Sequence, residues 1–156
     1  MAIKTHAFLL ATGLALPMAG SLAAQELLTG ADTEAVLASA RGIGEATLST
    51  QPNGDPLING QVDGTSYQIY FRNCTGNEDC EDLNFYAGFA SKADADVINT
   101  WNRDKRFSRA YIDAVGDAAI EMDLDMVEGI TADYLLSQVK LWPQIVSEFA
   151  THIGYP

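Results

Sequence analysis

The stretch PLINGQVDGTSYQIYFRN, residues 56–73, decides the fold class of this 156-residue chain. The Asp63–Gly64 pair is a strong signal for a two-residue β-hairpin turn, because both central positions of that turn adopt a positive φ. After the turn, Tyr67, Ile69 and Phe71 alternate with polar residues, so their side chains lie on one face of a strand. The stretch therefore predicts an antiparallel sheet with one buried face.

Neighbouring segments extend this sheet on both sides. EATLST (residues 45–50) precedes it, and DLNFYAGFA (residues 82–90) follows it after a loop, which makes a meander of strands. Further along, RAYIDAVGDAAIEMDLDM (residues 109–126) is predicted as a second hairpin, with its turn at Gly116–Asp117.

Two helices are predicted next to these strands. The first lies within residues 27–44, where Asp32, or Thr29 together with Asp32, is the predicted N-terminal cap. The second lies within residues 91–105, with Ser91 as the predicted cap.

A third helix is predicted for residues 131–153, from apolar residues spaced by four, three, four, three and four positions. These are Leu135, Val139, Trp142, Val146, Phe149 and Ile153. Pro143 must bend or interrupt the helix, because proline cannot donate a hydrogen bond to the carbonyl of Val139. The predicted order is α-β-β-β(-β)-α-β-β-α, an α+β domain with helices layered on a mostly antiparallel sheet.

The N-terminus has the three parts of a secretory signal peptide. A lysine-bearing start precedes an apolar run, and SLAAQ supplies a cleavage site between Ala24 and Gln25. The alternative, a membrane anchor, is disfavoured because the run is shorter than the roughly 20 apolar residues that span a bilayer. We therefore expect a signal peptide at residues 1–24, a single domain at residues 25–156, a periplasmic or secreted location, and no membrane insertion after cleavage.

Cleavage at this site would leave eight basic residues against 21 acidic residues, a net charge of −13. A surface so acidic repels nucleic acid, whose binding requires a basic face that neutralises phosphates. Nucleic acid is therefore not an expected partner.

Two cysteines, Cys74 and Cys80, flank a loop of five residues between predicted strands. In an exported protein such a pair predicts a structural disulfide. The alternative, a redox-active pair, is disfavoured because the neighbouring carboxylates would raise the thiol pKa.

Residues for several kinds of chemistry are missing. His152 is the only histidine in residues 25–156 and lies near the end of the chain, where a catalytic triad is not expected. Zinc ligands and a glycine-rich phosphate loop are also missing, so we expect no enzyme activity, no cofactor and no metal. Two acidic clusters leave calcium open as an alternative: the loop GNEDCED (residues 76–82) and the series Glu121, Asp123 and Asp125. Alternation along a strand also produces a solvated acidic face without any bound cation.

The stretch WNRDKRFSRAY, residues 101–111, concentrates basic and aromatic residues in an acidic chain. The first interpretation is structural: cations favour the last turn of a helix, and Asp104 and the acidic loop at residues 78–82 offer counter-charges. The second is a contact surface for an acidic or carboxylate-bearing polypeptide. The predicted partner-binding residues are Trp101, Asn102, Arg103, Arg106, Phe107, Arg109 and Tyr111.

The same region resembles the YbjN family of bacterial sensory transduction regulators, in its exported form. The match is carried by Asn99, Trp101, Asn102, Arg106, Phe107, Arg109, Ala110 and Tyr111. The resemblance implies a fold similar to type III secretion chaperones, which often dimerise and bind extended polypeptide. It implies no catalytic residues, because the family has none established.

Together these features predict a periplasmic, non-enzymatic module that binds a protein or peptide, with a regulatory or chaperone-like role in envelope stress or signalling. A homodimer is expected only through the resemblance. The alternative is a sensor domain for a small molecule or a cation.

Overall fold

The computed structural model describes residues 27–156. The predicted signal peptide, residues 1–24, lies outside the described residues. Within them, no helix combines the length and apolar character that crossing a membrane requires.

The predicted α+β order is confirmed, including the fourth strand of the meander. The elements are α1 (Thr33–Arg41), β1 (Glu45–Thr50), β2 (Pro56–Val62), β3 (Thr65–Arg72), β4 (Asp82–Lys92), α2 (Ala95–Asp104), β5 (Arg109–Ile112), β6 (Asp117–Asp125) and α3 (Ala132–His152). The strands form one six-stranded antiparallel sheet in the order β1-β2-β3-β4-β6-β5. Strands β1 and β5 are therefore its two edges.

The β2–β3 hairpin forms as its sequence predicts. Asp63 and Gly64 both have positive φ, 48° and 81°, which matches a type I′ turn, and Val62 pairs with Thr65 directly after it. This register places Gly60 opposite Tyr67. A Cβ on the glycine would lie 2.2 Å from Cζ of the tyrosine ring, so the missing side chain makes room for the ring.

The helices cover one face of the sheet. The sheet presents Ile69 and Phe85 to this core, and Trp142 of α3 packs on Phe85 with ring centroids 5.7 Å apart. Helix α1 packs on β1, β2 and α3, whereas α2 packs on β5 and α3. The opposite face of the sheet carries polar side chains and has no helix over it among residues 27–156.

Helix ends differ from the predictions in part. Asp32 is the N-cap residue of α1, but its carboxylate accepts from the backbone of Thr29 (2.7 Å) and makes no cap hydrogen bond. The cap predicted at Ser91 is wrong, because β4 continues to Lys92 and Asp94 becomes the N-cap residue of α2. Helix α3 runs unbroken through Pro143.

The predicted disulfide is present: Cys74 and Cys80 are joined, closing the loop between β3 and β4. The loop is also tied to the β1–β2 turn, because Asn77 Nδ2 donates to Oδ1 of Asp55 over 2.8 Å. The disulfide closes this polar loop and the hydrogen bond attaches it to the rest of the domain, which is a structural role for the disulfide.

Candidate interaction surface

Trp101 anchors the connection between α2 and β5 from inside the core. Its side chain is only 1% exposed and packs edge-on against Phe149, with ring centroids 5.0 Å apart. The indole Nε1 donates to Oγ of Ser108 over 3.1 Å, so the ring also fixes the far end of the connection. Because Trp101 is buried, its main role is to position this segment.

Asn102 holds the edge strand β5. Its Nδ2 donates to the carbonyl of Ala110 (2.9 Å), and its Oδ1 accepts from the N–H of the same residue (2.8 Å). One side-chain amide thus bonds both backbone groups, as a neighbouring strand would do. Asn102 was predicted as a partner contact, but the structure engages its amide within the fold.

Phe107 is the exposed aromatic residue of the predicted set. Its φ is 65°, a conformation that a bulky residue rarely adopts, and 70% of it is exposed. Beside it lies a depression of about 230 Å³ between the α2–β5 connection and α3. Trp101, Leu141 and Ile145 supply its apolar wall. We call five residues that line this depression, Lys105, Arg106, Phe107, Leu141 and Ile145, the loop surface.

Some of the basic side chains in residues 101–111 form ion pairs, and one does not. Lys105 Nζ lies 2.7 Å from Glu148 of α3, and Arg103 pairs with the adjacent Asp104 at 2.8 Å. The hydrogen bond from Arg103 lowers the pKa of Asp104. Arg106 forms no ion pair with any residue in the described range 27–156. It is therefore the cation of the loop surface available to an acidic partner.

Arg109 and Tyr111 lie on the open face of the sheet, apart from the loop surface. Both bond Glu121 of β6: Nη2 of Arg109 donates to Oε2, and the Tyr111 hydroxyl donates to Oε1 over 2.8 Å. Burial, followed by this hydrogen bond, raises the pKa of Tyr111. The counter-charges predicted in the loop at residues 78–82 are not used by these cations, whose partners are Asp104, Glu148 and Glu121.

The open face carries a polar network around a depression of about 490 Å³. The guanidinium of Arg72 lies 4.6 Å from the ring centroid of Tyr70, and Asn84 donates to Asp123 over 2.7 Å. Of the acidic series suggested for calcium, Glu121 and Asp123 are thus engaged with neighbouring side chains, and Asp125 accepts from the backbone N–H of the second residue after it. Within the described residues, no cluster of three or more His, Cys, Asp or Glu side chains could hold a metal ion.

The structure thus divides the seven predicted contact residues among three places. Trp101 and Asn102 build the α2–β5 connection, and Arg109 and Tyr111 belong to the open face. The remaining three, Arg103, Arg106 and Phe107, are exposed at the end of α2 and in the connection that follows it. Sequence analysis missed Leu141 and Ile145, which face the same depression from α3. The available signal was their spacing of four residues, which places Leu141 and Ile145 on the same side of the predicted helix.

The chain is thus a two-layer α+β domain, with its helices on one face of a six-stranded antiparallel sheet. The sequence profile of the YbjN family, described as "Putative bacterial sensory transduction regulator", matches residues 32–154. The chain therefore belongs to the YbjN family, whose description is regulatory and names no enzyme activity. No curated protein is significantly similar to it.

Proposed function

We propose that this protein is exported to the periplasm and acts there as a non-enzymatic regulatory module that binds a polypeptide partner through the loop surface. The observation that carries the proposal is Phe107, held exposed in a left-handed backbone conformation beside an apolar depression. A non-glycine residue in this conformation costs about 1–2 kcal/mol. Such strain, where it persists, often serves a function.

The chemistry of the loop surface favours an acidic segment with an apolar side chain. Arg106 has no ion-pair partner within residues 27–156, and an unpaired arginine favours contact with a carboxylate over contact with a cation. The depression beside Phe107 has room for one aliphatic or aromatic side chain. An aromatic anchor with a neighbouring arginine is the composition of a binding hot spot.

The absence of catalysis is supported by how the reactive side chains are used. His152 stacks on Trp101, with ring centroids 5.4 Å apart, and its Nε2 lies 2.9 Å from the carbonyl oxygen of Val97. This histidine is therefore a packing residue. The acidic residues of β6 are likewise engaged in hydrogen bonds within the sheet.

Binding can be measured with peptides selected from a random display library on the immobilised protein. We expect acidic peptides that carry an aliphatic or aromatic residue. Phe107→Ser should weaken their binding about 10- to 100-fold, because burying such a ring contributes about 1.5–3 kcal/mol. Arg106→Glu should weaken the binding of the same peptides and reduce the dependence of their affinity on salt concentration.

Val115→Ser is the matched control. Val115 is 72% exposed, slightly more than Phe107, but it lies in the β5–β6 turn. Binding should be unchanged in this variant. Peptides that bind Phe107→Ser as tightly as the parent protein would exclude the loop surface as the site.

Export is supported by the three-part N-terminal segment and by the disulfide between Cys74 and Cys80, since disulfides persist in oxidising compartments. Fractionation of cells producing the C-terminally tagged full chain tests it. We expect periplasmic protein that begins at Gln25, and retention in the cytoplasm when Leu10→Arg interrupts the apolar run. Cytoplasmic protein with an intact N-terminus would contradict export.

A small-molecule sensor is the second candidate function, favoured by one observation on the open face. Oδ1 of the buried Asn84 has no hydrogen-bond partner within residues 27–156, at a depression lined by both arginine and carboxylate side chains. A zwitterionic ligand would suit that mixture of charges. Thermal melts with millimolar amino acids and with calcium test it, and an unchanged midpoint with all of them would eliminate this candidate.

A further inference from the structure

The open face of the sheet changes character between its two halves. On β4, β6 and β5 it carries the charged network described above, whereas on β1, β2 and β3 it carries mainly hydroxyl and amide side chains. One row of paired residues shows the change, since it runs from Thr47 through Asn59, Gln68 and Tyr86 to Glu121. Four uncharged polar side chains therefore stand side by side on neighbouring strands.

These four side chains border a depression of about 500 Å³. Glu45, at the start of β1, is the one charged residue among the described residues that line it. Protein surfaces normally carry both signs of charge interspersed with other residues, so an uncharged area is unexpected on a chain of net charge −12. A lining of amide and hydroxyl groups favours a ligand that is uncharged and rich in hydrogen-bonding groups.

Hydrogen bonds hold the amides of this row in fixed orientations. Asn59 Nδ2 donates to Oγ of Ser49 over 2.6 Å, and Gln68 Nε2 donates to Oδ1 of Asn59 over 3.5 Å. The hydroxyl of Tyr70 donates to Oε1 of Gln68 over 3.1 Å. A primary amide has two N–H groups and two acceptor lone pairs, so each amide keeps capacity for further hydrogen bonds. The row is thus oriented before a ligand arrives, which lowers the entropic cost of binding.

Tyr86 supplies an aromatic surface on the β4 side of the depression. Its ring extends along the strand over Gly88, where an added Cβ would come within 2.7 Å of the tyrosine hydroxyl oxygen. The missing side chain of Gly88 therefore makes room for the ring, and a glycine within a strand often marks such a close approach. Tyr70 packs edge-on beside this ring, with centroids 6.2 Å apart. Tyr86 is half-buried, so part of its held ring is accessible to a ligand.

We propose that this half of the open face binds an uncharged glycan chain, with one sugar ring stacked on Tyr86 and its hydroxyl groups bonded to the amides of Asn59 and Gln68. A pyranose ring has an apolar face of C–H groups and a rim of hydroxyl groups. An aromatic ring bordered by amides is complementary to both parts. Four neighbouring strands span about 14 Å, so the row is long enough for an oligosaccharide and not only for a single sugar.

Other classes of partner fit this depression less well. A protein interface usually has an apolar core, whereas this lining consists mainly of amide and hydroxyl groups. Nucleic acid would need cations, and none lines the depression among the described residues. A peptide strand pairs with the edge of a sheet, because backbone groups within a sheet are already bonded.

The glycan site goes beyond the proposed polypeptide binding and is separate from the loop surface. The loop surface lies between the α2–β5 connection and α3, whereas the glycan would lie on the face of the sheet that the helices leave open. Peptide binding and glycan binding can therefore succeed or fail independently.

Calorimetric titration of the purified protein with oligosaccharides tests the proposal. The probes are maltohexaose, cellohexaose and N-acetylchitohexaose, which differ in linkage and substituents but share an uncharged pyranose chain. Oligogalacturonate is the charged comparison, because each of its sugar units carries a carboxylate. We expect binding of one or more uncharged probes and no binding of oligogalacturonate.

Two substitutions test the role of the tyrosine ring. Tyr86→Ala should weaken glycan binding by about 10-fold or more, because it removes the stacking surface. Gly88→Ala should weaken the same binding, because its Cβ would displace the ring, and the backbone there tolerates alanine since its φ is not positive. Tyr134→Ala is the matched control: this tyrosine is 48% exposed but lies on α3, and its replacement should leave binding unchanged.

The two proposed activities are separated by measuring both ligands on both sets of variants. Tyr86→Ala should bind the selected peptides normally, and Phe107→Ser should bind the oligosaccharides normally, with circular dichroism confirming that each variant is folded. A protein that binds none of the three uncharged probes at millimolar concentration would overturn the glycan site. So would binding that survives both Tyr86→Ala and Gly88→Ala, or binding that Tyr134→Ala weakens equally.

Discussion

The side-chain amide of Asn102 gives the sharpest test of how the α2–β5 connection is built. Asn102→Ala removes the two hydrogen bonds at 2.9 and 2.8 Å that hold both backbone groups of Ala110. Ala110 is buried, so water replaces these bonds poorly. The same variant also uncovers the edge of β5.

The expected loss follows from these two contacts. Each hydrogen bond contributes about 0.5–1.5 kcal/mol net, which gives about 1–3 kcal/mol for the pair. Alanine is a better helix former than asparagine by about 0.6 kcal/mol, and Asn102 lies within α2. Asn102→Ala should therefore lower the free energy of unfolding by about 0.5–2.5 kcal/mol.

Urea unfolding followed by circular dichroism measures this change, with the dependence on denaturant unaltered. Asn99→Ala is the control, because Asn99 is an exposed residue of the same helix and its replacement should raise the free energy of unfolding only by the helix-propensity difference of about 0.6 kcal/mol. Asn102→Asp keeps the acceptor but places a carboxylate against the Ala110 carbonyl, so it should be no more stable than Asn102→Ala. An Asn102→Asp protein as stable as the parent would refute the paired-amide explanation.

Three further outcomes are expected. Phe107→Gly should be more stable than Phe107→Ala by about 0.5–1 kcal/mol in urea unfolding, because glycine adopts the φ of 65° without strain; the reverse order would show that this backbone conformation is not retained. The pKa of Tyr111 is raised in the folded protein, so its hydroxyl contributes fully to stability below about pH 10, the pKa of an unfolded tyrosine, and this contribution is lost as pH rises through the folded-state pKa. Tyr111→Phe should therefore flatten the alkaline fall of the urea midpoint. Equal slopes in the two proteins would contradict this. Replacing Cys74 and Cys80 with serine should cost about 2–2.5 kcal/mol, and the parent protein with its disulfide fully reduced should match the double variant.

Local signals were sufficient for most of the fold. Alternation in β3 and β6, the Asp63–Gly64 turn and the stripe of α3 each depend on residues close together in sequence, and all were predicted. The start of α2 was misplaced because serine is a common N-cap residue, whereas Ser91 lies within β4, which extends to Lys92. Strand β4 reaches Lys92 because this residue pairs with Asp117 of β6, past an irregularity in the register of the two strands. No local sequence pattern in β4 indicates this pairing.

The candidate site was predicted less well, because burial and strand order are properties of the assembled domain. Trp101 and Phe107 have similar surroundings in the sequence, but α3 covers the first and leaves the second exposed. The edge position of β1 likewise depends on which strands pair, and Leu48 looks like an ordinary buried residue of an alternating strand. Neither distinction is available from spacing or composition.

The basic stretch at residues 101–111 combines the two interpretations that its sequence left open. Trp101 and Asn102 fix both ends of the α2–β5 connection, and Lys105 is paired with Glu148 of α3, so most of the stretch is used within the fold. That rigidity is what allows Phe107 to remain exposed in a strained conformation, because a mobile loop would relax and bury the ring. The proposed binding role therefore depends on the structural role: variants that loosen the connection should weaken peptide binding indirectly, whereas Phe107→Ser should do so without lowering stability.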